Sequence, residues 1–125
     1  MWLMYSRRVH TILGVVYMKT AIIGSRNLEV EIENYLPSNI SLIVSGGARG
    51  IDTLAERYAD KNGIPKQIFL PDYERYGKIA PLVRNRLIVD NSDSIIAFWD
   101  GVSRGTKFTI DYAKARGKEV IIYLI

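Results

Sequence analysis

Three short stretches combine glycine, hydroxyl and arginine in the way an anion site needs. The richest is Ser45-Gly46-Gly47-Ala48-Arg49-Gly50-Ile51-Asp52. Glycines at 46, 47 and 50 remove Cβ atoms where a phosphate would approach, and Arg49 adds a planar positive fork. A helix beginning here would aim its free N–H groups and its dipole at the same anion. Asp52 has three readings: a helix cap, a partner for a ribose hydroxyl, or an orienter of Arg49. The stretch is not a nucleotide P-loop, which needs Gly-Lys-Ser/Thr, and its spacing is not GxGxxG. Gly101-Val102-Ser103-Arg104-Gly105-Thr106 repeats the arrangement, with Ser103 as a hydroxyl cap. Gly24-Ser25-Arg26 is the third and shortest. Each stretch alone also fits a plain turn; their convergence at one place is what would make a phosphate site.

Two more groups could contribute. Arg84-Asn85-Arg86, with Lys78, Tyr73 and Tyr76 nearby, reads either as a solvated helix face or as a lip that contacts phosphate and stacks on a base. Trp99 reads as core packing, with a wall beside a bound base as the alternative.

Positioning these residues requires a regular frame, and the hydrophobic pattern supplies one. Lys19–Ile23, Leu42–Val44, Gln67–Leu70, Ser94–Trp99 and Glu119–Leu124 read as five strands. The fourth is apolar throughout, as a strand covered on both faces should be. Ile51, Leu54, Ala55, Tyr58 and Ala59 share one helical face, and Asn62-Gly63 stops that helix before Pro65. Further helices are expected over Leu28–Leu36, over Ile79–Val89 with Pro81 in the first turn, and from Ser103 to Arg116. Pro71–Lys78 reads as a polar, aromatic loop. The alternation βαβαβαβαβ implies an α/β fold: one Rossmann-like three-layer domain, with a parallel sheet and helices on both faces. In such sheets ligands bind beyond the carboxyl ends of the strands. All three glycine stretches follow strands.

Composition narrows the chemistry. The chain has 125 residues, no cysteine and one histidine, His10. Disulfides, thiolate metal sites and a His-based triad are thereby removed. No dedicated metal cage is visible, although Mg²⁺ could arrive with a phosphate ligand. No 18-residue apolar run suggests a membrane span, and the lack of cysteine fits a cytoplasmic protein. Net charge is +4, but residues 1–17 carry Arg7 and Arg8 and no acid; the remaining 15 cations face 13 anions. A body so nearly balanced argues against strong nucleic-acid binding, while leaving weak single-stranded binding through the local arginines. Residues 1–17 read as an extension of unknown role ahead of a domain over 18–125, and His10 as an ordinary residue of that arm.

At IIGSR, VSGGARGIDTLAERYA, PDYERYGKIAPLVRN and DSIIAFWDGVSRGT the sequence resembles the SLOG superfamily, most closely its small stand-alone YspA-like members. The superfamily includes DNA-processing protein A and the LOG phosphoribohydrolases. The resemblance spans about Met18 to Ile125 and departs at Ala80-Pro81, where Ala-Gly is expected. It implies strand order 3-2-1-4-5 and a nucleotide-derived ligand. It places ligand binding on Gly24, Ser25, Arg26, Gly46, Gly47, Arg49, Asp52, Arg84, Asn85, Ser103, Gly105 and Thr106, to which the glycine stretches themselves add Ala48, Gly50 and Arg104. It also implies a sensor or binding module that can self-associate. Two relatives set the alternatives. LOG enzymes cleave the base–ribose bond of nucleoside monophosphates with a glutamate, but here Thr109 falls at that position and a hydroxyl cannot do a carboxylate's work. Asp52, Asp72, Glu74, Asp100 and Asp111 are the carboxylates that could replace it, and the sequence selects none. DNA-processing protein A shares SGxARGID and the RNR stretch, which implies single-stranded DNA binding as the other alternative.

Overall fold

The computed structural model describes residues 9–125. It contains strands β1 (Val9–Ile12), β2 (Val15–Gly24), β3 (Ile40–Ser45), β4 (Lys66–Ile68), β5 (Ser94–Trp99) and β6 (Glu119–Leu124). The helices are α1 (Ile51–Lys61), α2 (Tyr73–Tyr76), α3 (Ala80–Asp90) and α4 (Arg104–Ala115). Five strands lie in the order β4-β3-β2-β5-β6, all pairs parallel. This is the expected 3-2-1-4-5 sheet. The order reverses between β2 and β5, so a crevice must open where those two strands end.

The apolar patterning builds one core on each side of the sheet. On one side Ala21, Ile23, Val44, Ile95 and Ala97 meet Ile88 and Val89 of α3 and Ile110 and Ala113 of α4. On the other side Ile22, Ile43, Ile96 and Phe98 meet Ile51, Ala55 and Ala59 of α1. The period of two along β2 sends Ala21 and Ile23 to one core and Ile22 to the other. Within the sheet the Thr20 and Ser94 hydroxyls lie 3.0 Å apart between β2 and β5. At the foot of the same strands the Lys19 N–H donates to the Asp93 carboxylate at 3.0 Å.

Two segments depart from the expected pattern. The helix expected over Leu28–Leu36 is absent; one 3₁₀ turn, Ile32–Asn34, interrupts an otherwise irregular crossover. Leu28, Val30 and Ile32 all pack on the α1-side core. Residues two apart can do that only in extended chain, so the alternation overrides the helical spacing. Above β5 and β6 this side carries an aromatic cluster in place of a helix. The Tyr35 ring meets Phe98 edge-on at 5.6 Å, and Phe98 stacks on Tyr123 at 5.5 Å.

The second departure is at the N-terminus. The first parallel strand begins at Val15, not Lys19, and β1 pairs with it antiparallel, Val9 opposite Met18 and Ile12 opposite Val15. Leu13 and Gly14 make the two-residue turn with φ of 51° and 81°. Both angles are positive, as a tight hairpin matching strand twist requires. Residues 9–17 of the expected extension therefore continue the sheet, while residues 1–8 lie outside the described residues. The expected loop over Pro71–Lys78 holds the single turn α2, capped by the Asp72 carboxylate on the Arg75 N–H at 3.1 Å.

Phe98 is fully buried and anchors the aromatic cluster that stands in for a helix. Phe98→Ala should lower unfolding free energy by about 3–5 kcal/mol in urea titrations. Leu70→Ala, at a side chain 68% exposed, should stay within about 0.5 kcal/mol of the parent.

Candidate functional site

A cleft of about 420 Å³ lies at the reversal point. It is bounded by Gly24–Asn27 after β2, Ala48 and Asp52 at the start of α1, Pro81, Arg84 and Asn85 on α3, and Asp100 with Ser103–Thr106 after β5. Ile23, Ile88 and Thr109 complete its floor. A larger groove of about 520 Å³ runs between Leu28–Glu31 and α1, but it joins none of the strand-end motifs except at Gly50. The cleft is where the convergent chemistry lies.

The glycine-rich loop between β3 and α1 is organised from beneath the cleft. Arg84 is 8% exposed. Its Nη1 donates to the Gly46 carbonyl at 2.5 Å and its Nε to Asn85 Oδ1 at 2.8 Å. Asp52 Oδ2 accepts the Ala48 N–H at 3.1 Å. Burial pushes the Asp52 carboxyl above its ordinary pKa, against the Ala48 N–H and the Arg84 charge, which favour the anion. Burial likewise lowers the Arg84 pKa, with the Asp52 charge opposing. The chain thus supplies its own anion to the N-terminal side of α1.

This accounts for the loop glycines without a ligand. A Cβ on Gly46 would sit 2.6 Å from Arg84 Nη1 and 3.0 Å from Asp52 Oδ2. Gly47, at φ +69°, turns its open side to Leu70 and Ile68, and Gly50 packs on the Arg26 carbonyl. Gly24 likewise gives space to Ile51 and to the Phe98 carbonyl, where a Cβ would come within 2.6 Å of the oxygen. Gly24 still borders the cleft, but Gly46, Gly47, Arg49 and Gly50 do not. Close packing is thus a sufficient reason for glycine at these positions.

The opposite wall is built differently. Asp100 accepts the N–H groups of Ser103 at 2.7 Å and Val102 at 2.9 Å, and the Ser103 hydroxyl at 2.9 Å. The Ser103 N–H foremost, then that of Val102, holds the Asp100 carboxyl down to about 2. The Asp100 N–H donates to the Ser25 hydroxyl at 3.2 Å, tying the β2 end to the β5 end. Trp99 donates its indole N–H to the Ser103 carbonyl at 3.1 Å and packs on the α3–α4 core, so it braces this loop rather than lining the cleft.

Because the Ser103 hydroxyl turns to Asp100, it makes no cap on α4. The first N–H groups of α4, on Arg104, Gly105 and Thr106, have no partner within a helix, and all three residues border the cleft. Gly105 meets nothing within 4 Å of where a Cβ would stand. Protein packing does not demand glycine there, and glycine weakens a helix by up to about 1 kcal/mol. Thr109 Oγ1 donates back to the Gly105 carbonyl at 2.9 Å.

Arg26 and Arg104 are exposed on the cleft rim. Arg49 is exposed outside it, as are Tyr73 and Lys78, and Tyr76 is also absent from its lining. Arg86 points to the far side of α3, with its guanidinium 5.8 Å from the ring centres of both Phe108 and Tyr112. Asn27 and Pro81 border the cleft and were not singled out by the sequence. Asn27 follows a strand end and so carried the positional signal; Pro81 carried only its departure from the family pattern. No cluster of acidic, histidine or cysteine side chains able to hold a metal occurs among the described residues. Among them, too, no helix is long and apolar enough to cross a membrane.

The lowered Asp100 pKa gives an acid-stability prediction. Its stabilising effect should be complete above the unfolded carboxylate value of about 3.9 and vanish as pH falls through about 2. Urea midpoints of the parent and of Asp100→Asn should differ at neutral pH and converge in strong acid.

Comparison with known proteins agrees with this architecture. The model of the YspA, cpYpsA-related SLOG family matches residues 26–76. Gene 61 protein of Mycobacterium phage D29 is 33% identical over 86 residues, 64% of this chain and 69% of that protein. DNA processing protein A from Streptococcus pneumoniae has the same fold, with a TM-score of 0.69 at 21% identity over 85% of this chain. The chain spans 50% of that structure's length. With β3, α1 and their glycine loop inside the matched segment, and the sheet order shared, the chain belongs to the YspA, cpYpsA-related SLOG family.

Proposed function

We propose that the chain binds a nucleotide or phosphorylated nucleoside derivative in the cleft between β2 and β5, as a sensor or binding module. One observation carries this reading: the uncapped start of α4, where Gly105 leaves open space beside unpaired N–H groups. The phosphate sits there, against the positive end of the helix dipole. Arg84 lends charge from below, with two of its five N–H groups committed to Gly46 and Asn85. Arg26 and Arg104 supply charge from the rim. Ser25 and Asn27 offer polar contacts along the β2 side. Mg²⁺ would enter only with the phosphate.

A second reading is hydrolysis of a base–ribose bond in such a ligand. It is favoured by two carboxylates on one cleft, Asp52 pushed up and Asp100 pushed down in pKa. Such a split is how acid and base roles are divided elsewhere. Thr109 takes no part, because its hydroxyl is bonded to backbone.

Thermal shift and calorimetry with nucleoside monophosphates, ADP-ribose, NAD, cyclic nucleotides and a short single-stranded DNA, at two salt concentrations, test the proposal. A bound nucleotide at 100 times its dissociation constant should stabilise by about 2.7 kcal/mol, a rise of several degrees for a domain this size, and should tolerate salt. Stabilisation by DNA alone, lost at high salt, would replace this reading with strand binding. Free base released from the ligand identifies the hydrolytic reading.

Gly105→Val should abolish the nucleotide shift without lowering the melting temperature of the ligand-free protein. Normal binding by that variant would remove the phosphate from α4. Arg49→Ala, outside the cleft, should change affinity by less than about 0.5 kcal/mol in calorimetry.

A further inference from the structure

The two edges of the sheet are treated very differently. The β4 edge is three residues long, and its Lys66 is held by Asp60 at 2.9 Å and Glu56 at 3.7 Å. Short length and an edge lysine are devices that prevent strand addition. The β6 edge has neither. It runs six residues as Glu-Val-Ile-Ile-Tyr-Leu, pairs with β5 at every position without a bulge, and has no strand on its outer side among the described residues. Its side chains are apolar on both faces: Ile121 is 36%, Ile122 37% and Leu124 71% exposed.

The direction of its free backbone groups follows from one bond. The Ile125 N–H points inward to the Trp99 carbonyl at 2.9 Å. Alternation then turns the N–H and C=O groups of Val120, Ile122 and Leu124 outward. Below them the Lys118 N–H is taken by the Ala113 carbonyl at 3.0 Å, so the outward row begins at Val120.

We propose that β6 is a self-association edge, which pairs antiparallel with β6 of a second copy about a two-fold axis through Ile122. A two-fold normal to the sheet keeps matching faces together, so each residue meets one of the same parity. Centring on Ile122 sets Ile122 opposite itself and Val120 opposite Leu124, and all three outward pairs exchange their N–H···O=C bonds. On the α1 side Ile121 meets Tyr123 of the other copy. The strand's one charge, Glu119, falls opposite Ile125 at each far end, so the two carboxylates never face each other. That self-complementarity selects a second copy over a foreign strand.

Light scattering on the full chain across a wide concentration range should give twice the 14.2 kDa chain mass. Ile122→Lys places two ammonium groups together at the axis and should raise the dimer dissociation constant about 100-fold or more, with the melting curve still cooperative. A second variant uses the absence of cysteine. Opposed bonded positions lie about 5.5 Å apart between Cα atoms, within disulfide reach. Ile122→Cys should therefore form a covalent dimer on mild oxidation, whereas Leu70→Cys, beyond the other edge, should not. A monomer at all concentrations would overturn the proposal, as would a dimer that survives Ile122→Lys or equal crosslinking of the two cysteine variants.

Discussion

The buried pairing of Arg84 with the Gly46 carbonyl, beside the Asp52 carboxylate, is the constraint on which the cleft depends. It joins an α3 side chain to a loop 38 residues earlier in the chain. It ties the loop after β3 directly to α3, across the base of the cleft. The arrangement also explains why burial is tolerated. The Arg84 charge favours the Asp52 anion and is favoured by it, and the Gly46 carbonyl, Asn85 and the Ala48 N–H take up their hydrogen bonds. Buried opposite charges of this kind set geometry more than they add stability, since desolvation offsets much of the attraction.

The same constraint reverses the intuitive reading of the glycines. Gly46 is small because Arg84 and Asp52 fill its side, and Gly50 because Arg26 backbone does. Gly105 is the opposite case, with open space and no packing reason to be small. A glycine-rich loop and a single glycine in a helix look unequal in a sequence, yet here the plainer one faces open space in the cleft. What separates them is the neighbour of the missing Cβ, which only coordinates supply.

Much of the frame was legible because period and burial agree. The β5 and β6 boundaries and the body of α1 follow directly from apolar runs and from Asn62-Gly63. The first crossover was not legible with certainty, since Leu28, Val30 and Ile32 serve an extended chain while Leu28, Ile32, Tyr35 and Leu36 also fit a helix. The hairpin was hidden because Leu13-Gly14 is an uncommon turn pair and Leu13 adopts a positive φ. At the cleft, the strand-end rule located the walls, including Ser25 and Ser103–Thr106. It could not tell that Arg49 faces away or that Ser103 caps Asp100's loop instead of α4, because those depend on side-chain direction.

The irregular crossover from Asn27 to Ser38 has a dynamic consequence. Its backbone is held by few bonds, among them Asn34 N–H to Glu31 at 3.2 Å and Tyr35 N–H to Ile32 at 2.9 Å. A helix in that position would add a full ladder and tie its opening to that of the sheet. Here the segment is held mainly by its side chains, Ile32 in the α1-side core and Tyr35 on Phe98, so its backbone protection rests on that packing. Its first residue, Asn27, also borders the cleft. Order in this crossover therefore bears on one rim of the cleft, and a change in it would register as amide protection along the α1 face without any movement of the sheet.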